Sequence, residues 1–164
     1  MNKTCFNGLF RLNRKGEFNV PYGKYKNPTI CDEENITNVH EILKDVTIEN
    51  KTYTYSEKFI DENSFVYLDP PYRPLSKTSN FTSYSENNFN DDNQKELAQY
   101  FSNITRKGAW AMLSNSDPHN TNPDDNFFDD LYSKYTIKRV KAKRSINSKG
   151  NSRGEINEIL VTNY

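Results

Sequence analysis

The sequence is poor in the features that would assign it to several common classes. Its 164 residues include only two cysteines and two histidines. Two cysteines are too few for a disulfide framework, and with two histidines they do not form a metal-binding cluster. Cys5 and Cys31 are therefore expected to be reduced structural thiols, with no metal site.

Long apolar runs are also missing. No stretch approaches the roughly 20 apolar residues that a membrane span needs, and residues 1–5 are not followed by the apolar run of a signal peptide. We therefore predict a cytoplasmic protein without membrane contact. Hydrophobic residues are 34% of the chain, yet aromatic residues are 13%, which argues against a disordered polar chain. The length predicts a single domain over residues 1–164.

A net charge of zero conceals a segregation of charge along the chain. Residues 1–28 and 134–164 are predominantly basic, whereas residues 29–133 are predominantly acidic. A face formed from both ends would attract a polyanion. The alternative is ordinary solvated surface charge, and the charges alone do not decide between the two.

Apolar periodicity predicts alternating helices and strands. Ile36, Val39, Ile42 and Leu43 indicate a short amphipathic helix, and residues 64–68 read as a buried strand. Residues 97–104 carry the helical pattern, with Gly108 behind them as a stop. These elements are followed by a strand at 109–114, a helix around 127–132, and two β-rich runs at 136–146 and 156–164. A polar run at 76–93 reads as a long loop. The order predicts an α/β sheet that ends in an antiparallel hairpin.

The motif Asp69-Pro70-Pro71-Tyr72 directly follows the first predicted strand. Ligands of open α/β sheets bind at the carboxyl ends of strands. Consecutive prolines remove two N–H donors, so the carbonyl oxygens and the Asp69 carboxylate present an edge that only accepts hydrogen bonds. Such an edge suits the amino group of a base, on which Tyr72 would stack. The alternative is a turn that contains two prolines by chance.

The motif in this setting resembles the Dam-type adenine-specific DNA methyltransferase family. The resemblance extends to residues 2–13 and 15–25, which are similar to the family's target-recognition hairpin, and to 74–75 with 80–84. It continues through 144–154 and 158–164, which resemble its closing hairpin. The resemblance implies two parts: a recognition hairpin at 1–28 and the carboxyl-terminal part of the catalytic domain at 29–164. It also implies methyl transfer from S-adenosylmethionine to the exocyclic amine of adenine in duplex DNA, at GATC sites.

The resemblance assigns site residues as well. It implies catalytic roles for Asp69, Pro70, Pro71 and Tyr72, with Asp69 also contributing to the cofactor site. It implies DNA contacts for the following residues: Phe6, Asn7, Leu9, Arg11, Asn13, Asn19, Pro21, Lys24, Tyr25, Lys143 and Arg144.

Within this set, the resemblance implies that Arg11 reads a guanine and that Leu9 and Pro21 contact the thymine side. Phe6 with Asn7 would fill the gap left by a flipped adenine, and the others would hold the backbone or neighbouring positions. The residues themselves are compatible with base reading, since arginine can grip guanine and asparagine can pair with base edges. An exposed aromatic hairpin and a basic strand that only faces solvent are the alternatives.

The family's donor-site motif is missing from this sequence. The family places a Phe-x-Gly-x-Gly turn ahead of the recognition hairpin, but no two of the six glycines here are separated by one residue. We therefore expect an incomplete methyltransferase sheet with one uncovered edge, and dimerisation or poor solubility. The chain is either an enzyme fragment, one half of a split methyltransferase whose partner supplies the donor pocket, or a catalytically inactive DNA-binding remnant.

Overall fold

The computed structural model describes residues 3–75, 89–143 and 155–164. These residues belong to two compact units, one formed by the described residues up to 50 and the other by residues 51–143 and 155–164. Within the described ranges, no helix has both the length and the apolar character that crossing a membrane requires.

The first unit contains an irregular paired segment and one helix. Two antiparallel bridges, Cys5 with Tyr22 and Leu12 with Phe18, hold residues 5–22 together. The helix α1, Glu33–Leu43, confirms the predicted amphipathic helix and begins at Asp32, whose carboxylate accepts a hydrogen bond from the Asn35 amide at 3.1 Å. None of its residues is buried. The apolar stripe of α1 is therefore exposed to solvent.

The second unit is a four-stranded sheet with helices packed against one face. Its strands are β1 (Phe65–Leu68), β2 (Trp110–Ser116), β3 (Thr136–Lys143) and β4 (Glu155–Thr162), in the spatial order β1-β2-β4-β3. β1 pairs parallel with β2, and β4 pairs antiparallel with both β2 and β3. The helices are α2 (Asp91–Arg106) and α3 (Phe127–Leu131), and a 3-10 helix spans Tyr53–Phe59.

The helix α2 is the best-specified element of this unit. Asn90 and Asn93 form a reciprocal capping box at its start. Gly108 follows its end with φ +89°, a conformation that favours glycine. The predicted helix is confirmed, but it begins at Asp91, so the loop predicted over 76–93 is too long at its carboxyl end. Residues 76–88 lie outside the described part.

The core lies between one face of the sheet and the helices. Leu113 on β2 and Val161 on β4 are fully buried together with Phe101 of α2 and Phe128 of α3. Tyr132 directly follows α3 and is also fully buried. Alternation along the strands places these side chains on the face that the helices cover.

The opposite face of the sheet is open. Phe65 and Tyr67 on β1 and Trp110 on β2 share this face by register, and each is more than half exposed. The strand predicted at 64–68 is present, but the prediction that it is buried is wrong. β1 is an edge strand, and only its Leu68 is buried. Burial depends on a partner layer, which periodicity alone does not reveal.

Candidate active site and recognition segment

The motif that follows β1 lies beside the end of β2. Because the two strands are parallel and Leu68 is paired with Leu113, Asp69 comes next to Ser114. Successive residues of a strand point to opposite faces, so Ser114 and Asn115 approach the motif from opposite sides of the sheet. The parallel pairing thus brings two polar side chains of β2 to the loop that carries the catalytic candidates.

Asp69 is oriented by a chain of hydroxyl groups. The Ser114 hydroxyl donates to Asp69 Oδ1 at 3.1 Å and lies 2.9 Å from the Tyr67 hydroxyl. A hydroxyl has one proton, so Ser114, which donates to Asp69, must accept from Tyr67. Asp69 is exposed, and no described residue donates to its Oδ2. One carboxylate oxygen is held by the protein while the other faces outward as an acceptor.

Tyr72 remains a neutral phenol at the edge of the same site. Burial raises the pKa of Tyr72, the nearby Ser114 hydroxyl opposes this rise, and the Glu158 and Asp69 carboxylates add to it. Its hydroxyl lies 3.5 Å from Glu158 Oε2. A half-buried neutral ring beside an acceptor edge is suited to stacking on a base.

A cavity of 320 Å³ opens beside the motif. Its wall combines aromatic rings, leucine side chains and the acceptor residues of the motif: Tyr53, Tyr67, Leu68, Asp69, Pro70, Pro71, Phe89 and Leu97. Apolar walls with a few convergent polar groups are typical of small-molecule sites. The cavity therefore has the chemistry to hold a flat, amino-bearing ring.

S-adenosylmethionine, which the resemblance implies, fits these residues only in part. The cavity suits an adenine ring, and both the donor and the proposed target base contain adenine. The glycine turn that the family uses for the donor is absent from the sequence. When bound, the donor would supply an electrophilic methyl group, and this chain would contribute Asp69 and the cavity wall to its site.

Buried amides hold the carboxyl-terminal half of the motif. Asn115 Oδ1 accepts from the backbone amides of Arg73 and Ser116, each at 2.9 Å. Asn115 Nδ2 donates to Gln94 Oε1 at 3.2 Å, and Gln94 Nε2 donates to the Pro71 carbonyl at 3.1 Å. Gln94 and Asn115 are both fully buried. The backbone of 71–73 is thus attached to α2 and β2.

Arg73 adds an ionic attachment at the same place. Its guanidinium pairs with Asp91 at 2.8 Å and with Asp125 at 2.7 Å, and it lies 4.3 Å from the centre of the Phe127 ring. The Asp91 carboxylate, opposed by burial and supported by Asp125, raises the pKa of Arg73. Arg73 therefore stays charged and ties the loop to α2 and to the start of α3.

In the first unit, the turn at residues 6–8 presents two of the predicted DNA-contact residues. Phe6 is about half exposed, and Asn7 has φ +52° with ψ +23°. Gly8 also has a positive φ, of +64°. A non-glycine residue in the left-handed region is uncommon, and asparagine is among those that tolerate it best. The turn projects Phe6 from the paired segment, and Leu9 follows it half-buried.

Arg11 and Asn13 have different surroundings in this segment. Arg11 is exposed; its Nε donates to the Asn19 carbonyl at 2.9 Å and its Nη2 to Asn19 Oδ1 at 3.5 Å, and its Nη1 has no acceptor among the described residues. Asn13 Oδ1 accepts from the backbone amides of Lys15 and Glu17, so Asn13 builds the turn. Pro21, Lys24 and Tyr25 are also exposed, as is Asn19.

The basic residues of the carboxyl-terminal part are partly engaged within the protein. Arg139 pairs with the fully buried Asp117 at 3.1 Å and with Asp129 at 2.7 Å, and Lys141 pairs with Glu155 at 3.1 Å. Lys143 ends β3, and Arg144 lies outside the described residues. The DNA contacts expected of Lys143 and Arg144 stay predictions.

Sequence reasoning did not assign Ser114, Gln94 or Asn115 to the site. One pattern pointed to Gln94, since it precedes Leu97, Ala98 and Phe101 at the helical spacing of buried positions. A polar residue on a core-facing stripe needs a partner. Which partner it finds is visible only in the folded chain.

Comparison with known proteins identifies relatives over the whole chain. The chain is 52% identical to the type II methyltransferase M.MjaIII of Methanocaldococcus jannaschii over 165 residues, which cover 100% of this chain and 55% of that protein. It is 42% identical to M1.LlaDCHI of Lactococcus lactis subsp. cremoris, covering 100% of the chain and 56% of the relative. It is 35% identical to the DNA adenine methylase of Escherichia coli K12, covering 98% and 55%.

The chain thus spans about half the length of these curated relatives. The family model of the D12 class N6 adenine-specific DNA methyltransferases matches residues 1–146, which include the paired segment of the first unit and the Asp69–Tyr72 motif. With relatives of 35% to 52% identity over nearly its whole length, the chain belongs to the D12 class N6 adenine-specific DNA methyltransferase family.

Proposed function

We propose that this chain supplies the amine-positioning and DNA-reading half of an enzyme that methylates the exocyclic amine of adenine in duplex GATC sites. The observation that carries this proposal is the acceptor edge at the end of β1. Asp69 Oδ2 and the Pro70 carbonyl receive no hydrogen bond from a described residue, and they adjoin an aromatic cavity. An amine with two protons matches two outward acceptors.

The chemistry follows from that edge. The lone pair of an adenine amine is delocalised into the ring, so the amine is a poor nucleophile. Asp69 and the Pro70 carbonyl hold its two protons and orient the lone pair out of the ring plane, while Tyr72 stacks on the base. When the N–CH3 bond forms, the S–CH3 bond of the bound donor would break, and the methylated amine would then release its proton to water. The base reaches the edge by flipping out of the duplex.

DNA recognition is assigned to the first unit. Its exposed Arg11 keeps guanidinium donors for a guanine edge, and the exposed ring of Phe6 is suited to fill the space left by a flipped base. Leu9, Asn7 and Pro21 accompany them in the same paired segment. The GATC sequence, the DNA contacts and a cytoplasmic location belong to this proposal.

The remaining part of the donor site is assigned to a separate polypeptide segment. The sequence has no Phe-x-Gly-x-Gly turn, and about 45% of the length of each relative lies outside the match. We assign the glycine turn and the rest of the S-adenosylmethionine site to the segment that corresponds to that unmatched part. A DNA-binding protein without catalysis is the second candidate.

A chimera tests the proposal. In the M. jannaschii methyltransferase, the 165 aligned residues are replaced by this chain, and the remainder of that protein is kept. We expect transfer of labelled methyl groups to adenine in a GATC duplex and no transfer after Asp69→Ala. Asp92→Ala is the matched control, because Asp92 is an exposed α2 residue paired with Lys95 and should leave transfer unchanged.

Each outcome supports or rejects one part of the proposal. Retained methylation in the Asp69→Ala chimera would reject the role proposed for Asp69 in holding the amine. A folded chimera that binds DNA but does not methylate it supports the DNA-binding protein without catalysis instead. Methylation at adenines outside GATC would reject the proposed site while leaving the reaction in place.

A further inference from the structure

The direction of hydrogen bonding through Gln94 and Asn115 is determined by the backbone. Asn115 contacts the backbone N–H groups of Arg73 and Ser116 with one side-chain atom. An N–H group only donates, so that atom must be the oxygen, and the amide nitrogen must face Gln94. Gln94 then has to accept with its oxygen and donate with its nitrogen to the Pro71 carbonyl.

This directed pair decides which acceptors of the motif remain for substrate. The Pro71 carbonyl is occupied by Gln94, and Asp69 Oδ1 is occupied by Ser114. Among the described residues, none donates to the Pro70 carbonyl or to Asp69 Oδ2. Of these four acceptors, two are hydrogen-bonded within the protein and two have no donor among the described residues, so this pair can accept the two protons of one amino group.

We propose that Gln94 and Asn115 are positioning residues that orient the Asp69–Tyr72 loop through the Pro71 carbonyl and the Arg73 amide. Neither touches the substrate; they act by fixing the backbone on which the Pro70 carbonyl sits. The inference rests on the proposed function, since the amine is the group that those acceptors hold. Asn115 holds the loop from β2, and Gln94 holds it from α2.

Because Gln94 and Asn115 are buried, replacing a single atom of the Gln94 side chain should disturb their hydrogen bonds. Gln94 and Asn115 are fully buried, and the charged groups beside them, Arg73 with Asp91 and Asp125, are already joined in ion pairs. Gln94→Glu keeps the size of the side chain. In its protonated form the new carboxyl group donates to the Pro71 carbonyl as the amide does. When ionised it has no donor and places negative charge against a carbonyl oxygen.

The first experiment measures hydrogen exchange on the full chain. The Arg73 amide, which donates to Asn115, should be protected from exchange in the parent and in Gln99→Glu, an exposed control on the same helix. In Gln94→Glu, its protection factor should match the parent at about pH 5.5 and fall at least about tenfold by pH 8.5, since a buried carboxyl ionises above its ordinary range. Protection that stays equal to the parent throughout overturns the inference.

The second experiment measures methyl transfer by the chimera across the same pH range. Gln94→Glu should retain kcat within about twofold of the parent at the acid end and lose about 100-fold at the alkaline end, with KM for DNA unchanged. A purely structural Gln94 would lower the melting temperature while the kcat profile of the folded variant ran parallel to the parent. That parallel profile overturns the positioning role.

The two experiments separate this inference from the proposed function. If the parent chimera is inactive while the Arg73 amide loses protection as described, the proposed function fails and the hydrogen-bonded support of the loop stands. If the parent chimera is active and the exchange of Arg73 does not respond, the proposed function stands and the inference fails.

Discussion

Ser114 is the single contact by which β2 holds the Asp69 side chain. Its proton goes to Asp69 Oδ1, and its lone pairs accept from Tyr67. The Asp69 carboxylate is exposed, so without this donor it can rotate about its side-chain bonds. The orientation of the Asp69 carboxylate therefore depends on the Ser114 hydroxyl group.

Ser114→Ala tests this dependence in the chimera. A hydrogen bond to a charged group contributes about 1.5–3 kcal/mol, which corresponds to a loss of roughly ten- to 100-fold in kcat if the contact is needed for transfer. Ser133→Ala, at an exposed position, should have no effect. The kcat is measured by steady-state kinetics. An unchanged kcat for Ser114→Ala would show that the position of Asp69 does not depend on Ser114.

Arg11 is the residue with which sequence specificity is tested. A bidentate arginine contact to guanine contributes roughly 1–3 kcal/mol of discrimination, whereas a lysine contact to phosphate affects all sequences alike. Arg11→Ala should narrow the affinity difference between GATC duplexes and duplexes altered at the guanine.

Lys143→Ala should lower the affinity for both duplexes and reduce the salt dependence of that affinity. Anisotropy titrations at one fixed salt concentration measure this, and equal weakening by Arg11→Ala would make Arg11 a backbone contact.

Aromatic rings join α2 to the residues that follow α3. Phe101 lies in edge contact with Tyr132 at 5.6 Å and with Tyr135 at 4.9 Å between ring centres. The Tyr135 hydroxyl donates to Ser102 at 3.0 Å. The buried Tyr132 hydroxyl has no hydrogen-bond partner among the described residues, and burial raises its pKa.

These two tyrosines form a matched pair for measuring what a buried hydroxyl contributes. Tyr132→Phe removes a hydroxyl without a partner, so the free energy of unfolding should rise by about 1 kcal/mol. Tyr135→Phe removes a hydroxyl that has a hydrogen-bond partner, so the free energy of unfolding should fall by about 1 kcal/mol. Urea unfolding followed by circular dichroism measures both. Equal destabilisation by the two changes would show that the Tyr132 hydroxyl has a partner in solution.

In the second unit, one face of the sheet is not covered by helices within the described residues. The chain covers 55% of the M. jannaschii protein, and its sheet has helices on one face only within the described second unit. Trp110 lies on the other face, 58% exposed, with its ring 5.2 Å from that of Tyr164. In the chimera, we expect this face to contact the part of the M. jannaschii protein that this chain does not match.

Trp110 reports on that contact, because it is the only tryptophan in the sequence. In the chimera, with any tryptophan of the M. jannaschii segment changed to Phe, acrylamide should quench Trp110 several-fold less than in the chain alone. The emission should also shift to shorter wavelength. Both are measured at low protein concentration, because the chain alone is expected to self-associate through exposed apolar surface. Equal quenching in the two proteins would exclude this face as the contact.

Local patterns in the sequence determined α2, the strands on either side of it and the position of the motif after β1. These features depend on spacing that neighbouring residues carry by themselves, as with the apolar repeat of 97–104 and Gly108 behind it. The family resemblance came from such short stretches as well, and the family model covers those that lie within residues 1–146.

Only the tertiary structure decided which acceptors of the motif face outward and which face of the sheet stays open. Gln94 and Ser114 reach the loop from 23 and 45 residues away in sequence, so their contacts exist only after β1, β2 and α2 have assembled. The exposure of Phe65 and Trp110 has the same origin. An apolar strand predicts that burial is favourable, but burial itself requires a second layer of protein to pack against.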